Sequence, residues 1–249
     1  MTSSSNPSLV HLQHFTVRSY DVDFQRHLRV DVLCSFFQEV ASEHALKLGV
    51  GYQQLEEQQL FWVLSRLFLQ IKKLPQWHEE ITIETWAKGT ERLFALRDFV
   101  VRSAQGDILV QATSYWLMLD AKSRRPVRPD SFFTRLKHEQ HAIDTPIEKL
   151  ESMKESLAFR EVAKYTDLDH NRHVNNIRYI SWMLNAFFLD FLLEHELQTL
   201  QINFQSELRE GDRVEIYSNE IQEDDYLISG FRQGEEQPSF NGRLQWKRK

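Results

Sequence analysis

The sequence contains one cysteine, Cys34, so no disulfide can form within the chain, and this predicts a reducing, cytoplasmic compartment. Its eight glycines form no glycine-rich loop of the kind that holds a nucleotide. No apolar run approaches the roughly 18 residues that a membrane-spanning helix requires. A net charge of −6 argues against general nucleic-acid binding.

Other signals are missing as well. The polar stretch Met1–Ser8 lacks the apolar core of a signal peptide and is predicted to be a short disordered lead-in. The histidines are scattered, and even His138 and His141 have no companion ligands, so neither a metal site nor a cofactor is predicted. No Gly-x-Ser-x-Gly element is present, which argues against a hydrolase with a serine elbow.

A duplication is the main feature that the sequence does contain. Asp169-His170-Asn171-Arg172-His173 has an imperfect copy 146 residues upstream, Asp23-Phe24-Gln25-Arg26-His27, and each copy leads into an apolar run. Only the later copy has Asn in the middle. The length of 249 residues accommodates two small domains. The pattern therefore predicts one working site and one half that has diverged.

Hydrophobic periodicity places one helix and a series of strands in each half. The first helix, Val30–Leu48, has Asp31 in its first turn and Gly49 at its stop. The second, Asn176–Leu193, is apolar nearly all round and is predicted to be buried on all sides. The predicted strands are His11–Val17, Phe61–Ile71, Glu80–Lys88, Phe94–Ser103, Ile108–Asp120, Phe159–Tyr165, Thr199–Leu208, Asp212–Glu220, Tyr226–Gln233 and Gln237–Trp246.

This order predicts an α+β fold in which antiparallel sheets wrap around central helices, because helices do not alternate with every strand. The predicted domains are residues 1–138 and 158–249, joined by a charged linker at 139–157. A short helix is predicted within the linker at Ile147–Lys154.

Asp169, Asn171 and His173 form the candidate polar cluster. Because they are spaced by two, an extended backbone would point all three side chains to one face. The N-terminus of the following helix, capped by Asn175 or Asn176, could supply donors to an oxyanion. The alternative, which spacing leaves open, is that these are turn and cap residues with a structural histidine.

Three stretches carry a resemblance to a known family: Asp167–Ile180, Phe61–Arg66, and Leu74–Trp86 with its Pro-x-Trp element and strand ending in Thr-Trp. In these stretches the chain resembles the acyl-acyl carrier protein (acyl-ACP) thioesterases, tandem hot-dog proteins of plant plastids and bacteria. The resemblance covers about residues 12–246 in family order. It implies two tandem hot-dog domains in one chain and hydrolysis of fatty acyl-ACP thioesters.

The resemblance also implies a catalytic set of Asp169, Asn171, His173 and Glu207, the last on a later strand. Glu207 would position or deprotonate water, Asn171 and His173 would orient water or the carbonyl, and Asp169 would hold the geometry or attack directly. The first-half counterpart of Glu207 is expected near Lys72. Leu208 stands where some members have Cys, which argues against a cysteine nucleophile, and Cys34 is expected to be a buried apolar residue.

The first half is then expected to form an apolar slot for the acyl chain. The candidate lining residues are Leu33, Phe37, Trp62, Leu64, Trp86 and Met118. Cations are expected to bind the acidic acyl carrier protein. The candidates are Lys72, Lys73, Arg124, Arg125, Arg128, Arg172 and Arg178. Three alternatives stay open: an acyl-coenzyme A thioesterase, a non-catalytic acyl-binding protein and a hydroxyacyl dehydratase. Preferred chain length and formation of a homodimer are not decided.

Overall fold

The computed structural model describes residues 9–129, 138 and 140–249, and the chain divides into two compact units. The first unit runs to Leu64 and again from Lys72 to Thr145, and the second comprises Ser65–Ile71 and Pro146–Lys249. The predicted lead-in, Met1–Ser8, and the first residue of the predicted linker, Glu139, lie outside the described residues.

The first unit is an antiparallel sheet with one long helix against it. Its elements are β1 (Val10–Thr16), α1 (Val30–Lys47), α2 (Tyr52–Glu56), the first part of β2 (Leu60–Ile71), β3 (Glu80–Glu91), β4 (Phe94–Ser103), β5 (Ile108–Asp120) and β6 (Pro126–Val127). Strand order is β1-β3-β4-β5, with β6 paired to the end of β5. On α1, Leu33 and Phe37 are buried, and the ring of Phe37 stacks on Phe99 of β4 with centroids 4.6 Å apart. Gly49, at φ 75°, ends the helix in the left-handed conformation that glycine tolerates.

The second unit repeats this plan. Its elements are β7 (Leu157–Val162), α3 (Asn176–Leu184), α4 (Leu189–Glu194), β8 (His195–Phe204), β9 (Arg213–Gln222), β10 (Asp225–Arg232) and β11 (Pro238–Arg248). Strand order is β8-β11-β10-β9-β7, and the Ser65–Ile71 part of β2 pairs with β8. The ring of Tyr179 on α3 meets Phe204 and Phe240 edge-on, at centroid distances of 5.7 and 5.3 Å. These contacts pack α3 against β8 and β11.

The α+β prediction is confirmed, and every predicted strand is present with its ends within four residues. The largest difference is at Thr199–Leu208, because β8 begins at His195 and ends at Phe204. It ends there because the amides of Gln205 and Ser206 both donate to the carbonyl of Ser239, which turns the chain. The short elements α2 and β6 were not predicted. Among the described residues, no helix is both long and apolar enough to cross a membrane.

The prediction of one continuous helix over Asn176–Leu193 is wrong. The structure ends α3 at Leu184 and starts α4 at Leu189. Between them the amides of Ala186 and Phe187 reach back only three residues, to the carbonyls of Met183 and Leu184. Such bonds tighten the last turn instead of continuing an α-helix.

Complete burial of this segment was also predicted wrongly. Phe188 is 86% exposed, and Leu189 and Leu193 are exposed as well. The interruption gives α4 its own direction. Phe187, just before α4, and Phe191, within it, both pack against Trp246, with their ring centroids 4.9 and 5.4 Å from that of Trp246. The apolar count alone does not reveal this change, because it assigns no direction to the second part of the run.

The predicted linker helix, Ile147–Lys154, is absent. The carbonyls that such a helix would use internally accept bonds from side chains of the second unit. Arg66 donates to the carbonyl of Ile147, and Gln201 and Asn203 both donate to that of Glu148. The competing donors keep this segment out of helical conformation.

Candidate active site

The loop that carries the predicted polar cluster is a tight turn. The Asp169 Oδ1 accepts the amide of Asn171 at 2.8 Å and that of His173 at 3.2 Å, and the Asp169 amide donates to the His173 carbonyl at 2.8 Å. Arg172, at φ 61°, completes the reversal. The expectation that an extended backbone puts three side chains on one face is therefore wrong, because the carboxylate of Asp169 folds back onto its own loop.

Glu207 lies in the loop after β8 instead of within a strand. The amide of Val174 donates to the carbonyl of Leu208 at 2.8 Å, which joins this loop to the Asp169–His173 turn. The junction places Nε2 of His173 3.3 Å from Oε2 of Glu207. Two groups that are 34 positions apart in sequence thus form a direct pair.

The polarity of this pair follows from its chemistry. An ionised carboxylate only accepts hydrogen bonds, so the Nε2 of a neutral His173 carries the proton and Nδ1 carries the lone pair. The side chains of His173 and Glu207 are 21% and 37% exposed, and Asn171 is exposed. Water and a polar substrate group can therefore reach the pair, and Asn171 lies two residues before His173 in the same turn.

The start of α3 offers few backbone donors. Asn175 caps the helix, as predicted, and its Oδ1 accepts the amide of Ile177 at 2.9 Å. The amides of Val174, Asn175 and Arg178 also donate within the protein. An oxyanion at this site would therefore depend mainly on side-chain donors such as Asn171.

Two further side chains, which the sequence reasoning missed, hold the Glu207 loop. The hydroxyl of Tyr179 accepts the amide of Leu208 at 3.1 Å and donates to the carbonyl of Ser206 at 3.4 Å. Nη2 of Arg232 donates to the carbonyl of Glu207 at 2.8 Å. Their partners are backbone atoms, so no residue-type pattern identified them. Tyr179 does lie within the stretch that carried the family resemblance.

The first half contains the same turn without the pair. Asp23 Oδ1 accepts the amides of Gln25 and His27, and Arg26 occupies the left-handed region at φ 66°. The amide of Leu28 donates to the carbonyl of Pro75, as that of Val174 does to Leu208. Leu74 therefore stands where the second half has Glu207, two residues beyond the expected Lys72. The first half lacks the carboxylate, as predicted.

Comparison with known proteins adds a second line of observation. The protein-family model of the acyl-ACP thioesterase N-terminal domain matches residues 8–133, about half of the chain. The family model of the C-terminal domain matches residues 150–248. The chain belongs to the acyl-ACP thioesterase family. The predicted resemblance is confirmed, and so is the fold of two tandem hot-dog domains.

Individual relatives agree with this assignment. The chain is 29% identical over 235 residues to the oleoyl-acyl carrier protein thioesterase 1, chloroplastic, of Arabidopsis thaliana, covering 86% of this chain and 64% of that protein. The chain thus spans less than two thirds of that plant relative. It is 26% identical to the acyl-ACP thioesterase of Bacteroides thetaiotaomicron, covering 96% of this chain and 98% of the other at a TM-score of 0.89. The 12:0-ACP thioesterase of Umbellularia californica, at 21% identity, shares the fold, with a TM-score of 0.87 over 97% of this chain and 98% of the other.

In this member of the acyl-ACP thioesterase family, all six predicted slot residues lie in the first unit. Leu33, Phe37, Leu64, Trp86 and Met118 are buried, and Trp62 is half-buried. The indole N–H of Trp62 donates to the carbonyl of Val50, and that of Trp86 donates to the carbonyl of Gln140. These bonds anchor both rings. Contact with an acyl chain stays a prediction for all six.

The predicted carrier-binding cations differ in their availability. Six are exposed: Lys72, Lys73, Arg124, Arg125, Arg128 and Arg172. The guanidinium of Arg124 lies 5.1 Å from the centroid of the Phe61 ring. Arg178 is half-buried, and its Nε is 3.1 Å from Oδ1 of Asp167. Arg178 is thus engaged within the second unit, which makes it the weakest of the seven candidates.

Cys34 is buried in α1, and burial raises the pKa of its thiol far above the ordinary value. The thiolate that a nucleophilic mechanism needs is therefore disfavoured at this position. In the part of the chain that the structure describes, no three His, Cys, Asp or Glu side chains converge in a way that could hold a metal ion.

Proposed function

We propose that this chain hydrolyses the thioester between a fatty acyl group and the phosphopantetheine arm of acyl carrier protein. The observation that supports this most directly is the accessible His173–Glu207 pair, with its 3.3 Å contact, in a member of the acyl-ACP thioesterase family. The second half, residues 158–249, supplies the chemistry. The first half, residues 1–138, holds the acyl chain with the six predicted slot residues, and the reaction takes place in the cytoplasm.

In the proposed reaction, water attacks the carbonyl carbon of the thioester and gives its proton to Glu207. The Nδ1 lone pair of His173 accepts from the water and orients it, and the side-chain amide of Asn171 orients the water or donates to the developing oxyanion. The tetrahedral intermediate collapses with cleavage of the carbon–sulfur bond. The leaving thiolate takes up the proton, so the products are a free fatty acid and the carrier thiol. No residue of this chain becomes acylated.

Asp169 is assigned a positioning role in this mechanism. Its Oδ1 accepts two amides of its own turn, and Asp23 makes the same two contacts in the half that lacks the His–Glu pair. Because this contact is also present in the half that has no catalytic pair, its role is to stabilise the turn. This argues for water as the attacking group and against direct attack by Asp169 to form an anhydride.

The first test compares kcat/KM on acyl-ACP and acyl-coenzyme A that carry the same acyl group. We expect hydrolysis of both, with acyl-ACP favoured about tenfold or more, because only the carrier adds protein contacts. Glu207→Gln and His173→Ala should each lower kcat by about 10²–10⁴, the usual contribution of a positioned acid or base.

His27→Ala, the first-half counterpart, is the matched control and should retain wild-type rates. Absence of hydrolysis on both donors would overturn the proposed function. Preference for acyl-coenzyme A would replace the carrier as the substrate partner. Near-normal rates in Glu207→Gln would remove the carboxylate from the site.

A further inference from the structure

The peptide groups on both sides of Glu207 are held by two side chains from other elements, Tyr179 and Arg232. The Tyr179 hydroxyl bridges the residues before and after Glu207, through the carbonyl of Ser206 and the amide of Leu208. Arg232 binds the carbonyl of Glu207 itself. The backbone of three consecutive residues, 206–208, is thereby held in place. The Glu207 side chain is therefore attached to a constrained backbone.

Tyr179 is itself firmly placed. It is 2% exposed, and its ring packs against Trp182 at 5.4 Å in addition to Phe204 and Phe240. Burial raises the pKa of its hydroxyl well above the ordinary value, so the group stays neutral and keeps both its donor and its acceptor function at working pH. The hydroxyl thus connects a rigid helix to the loop that carries the candidate base.

Arg232 is anchored from a different element. It lies at the end of β10, with Nη2 3.2 Å from Oδ2 of Asp212 and Nη1 3.0 Å from Oε1 of Glu235. These carboxylates fix the guanidinium, which then donates to the Glu207 carbonyl. The loop is therefore held from α3 on one side and from β10 on the other.

The duplication gives an internal comparison. At the offset of 146 residues that relates Asp23 to Asp169, Tyr179 corresponds to Leu33, a buried residue without a hydroxyl. The first half also has Leu74 in place of Glu207. The bridging hydroxyl and the carboxylate are therefore both present in one half and both missing from the other, whereas the aspartate turn is present in both.

We propose that Tyr179 and Arg232 are positioning residues for Glu207, which hold its loop so that the carboxylate stays within reach of His173 and the attacking water. This inference rests on the proposed function. Because displacement of a catalytic group by about 1 Å can cost about 10²-fold in rate, small shifts of this loop affect turnover more than binding. The effect must also vanish when Glu207 has no carboxylate to position.

The experiment is a double-mutant cycle on acyl-ACP hydrolysis at steady state, with substrate in excess and the enzyme concentration raised so that slow variants are measurable. Tyr179→Phe keeps the ring and removes the hydroxyl, and we expect kcat to fall about tenfold with KM within about twofold. In a Glu207→Gln background the same substitution should change the rate less than about twofold. Arg232→Gln should behave in the same way and serves as an independent variant if Tyr179→Phe folds poorly.

Asp225→Asn is the control for general loss of stability, because it weakens contacts to Arg243 and Gln245 at the opposite end of β10. It should leave kcat unchanged. Equal losses from Tyr179→Phe or Arg232→Gln in both backgrounds, or full activity in both single variants, would overturn the inference while wild-type hydrolysis and an inactive Glu207→Gln still support the proposed function. An inactive wild type would instead remove the proposed function.

Discussion

At the scale of single residues, the carboxylate of Asp169 makes a contact that is present in both halves of the chain. The comparison of the two halves can therefore distinguish its structural role from a chemical one. Asp169 and Asp23 accept the same pair of amides in their respective turns, but only Asp169 has a histidine–glutamate pair beside it. The two turns are thus natural controls for each other. A substitution that keeps the acceptor oxygen can be compared with one that removes it.

We predict that Asp169→Asn keeps kcat within about tenfold of wild type, because the amide oxygen still accepts both backbone N–H groups. Asp169→Ala should lower kcat about 10²-fold or more, and unfolding by denaturant should show a loss of about 1–3 kcal/mol from the two lost hydrogen bonds. Asp23→Ala should lose similar stability with unchanged kcat. If Asp169→Asn is folded but as inactive as Asp169→Ala, direct attack by Asp169 is favoured.

At the scale of elements, two glycines on neighbouring strands differ in the kind of side chain that an added Cβ would contact. A Cβ on Gly230 of β10 would lie 1.9 Å from Cε1 of Phe240, whose ring packs against Tyr179. A Cβ on Gly242 of β11 would lie 2.1 Å from Cε of Met183. An aromatic ring cannot bend away, whereas the unbranched Met side chain can change rotamer.

We predict that Gly230→Ala destabilises the protein by about 3 kcal/mol, the upper part of the range for overpacking, and lowers kcat because Phe240 is displaced against Tyr179. Gly242→Ala should cost about 1 kcal/mol or less and leave kcat near wild type. Denaturant unfolding and steady-state kinetics on both variants measure this difference. Equal costs for the two substitutions would mean that the ring and the thioether adapt equally well.

The same elements show how far the sequence could predict this structure. Helix α1 was predicted to within one residue because its apolar spacing and Gly49 gave independent signals for its course and its end. The break after Leu184 was missed, since nothing in an all-round apolar run marks a change of direction. The linker helix was predicted wrongly because its competing donors, such as Asn203, come from a distant strand.

The residues of the candidate site were likewise predicted only where a local sequence pattern or the family resemblance indicated them. Spacing predicted Asp169, Asn171 and His173 as a cluster, but not the turn that sends the Asp169 carboxylate back to its own amides. Glu207 came only from the family resemblance, because periodicity does not connect positions 173 and 207. The contribution of Tyr179 depends on the backbone of another loop, which residue types do not encode.

At the scale of the whole molecule, charge raises a conflict with the proposed partner. The chain carries 30 basic and 36 acidic residues, so its net charge of −6 repels an acidic carrier at a distance. The exposed cations predicted for docking, Lys73 among them, attract it at short range. Salt separates these effects, because the two contributions respond to screening with opposite signs.

If contacts with the cations dominate, raising ionic strength from about 0.05 to about 0.5 M should increase KM for acyl-ACP about tenfold with kcat unchanged, as the Debye length falls from over 10 Å to below 5 Å. Hydrolysis of an acyl-pantetheine, which lacks the carrier protein, should not respond. Lys73→Glu should raise KM at low salt and weaken the dependence of KM on salt. Lys247→Glu, which reverses an exposed charge outside the candidate set, should shift KM less. A KM that falls as salt is added would mean that whole-molecule repulsion governs the encounter, and Lys73 and the other cations would then lose their proposed docking role.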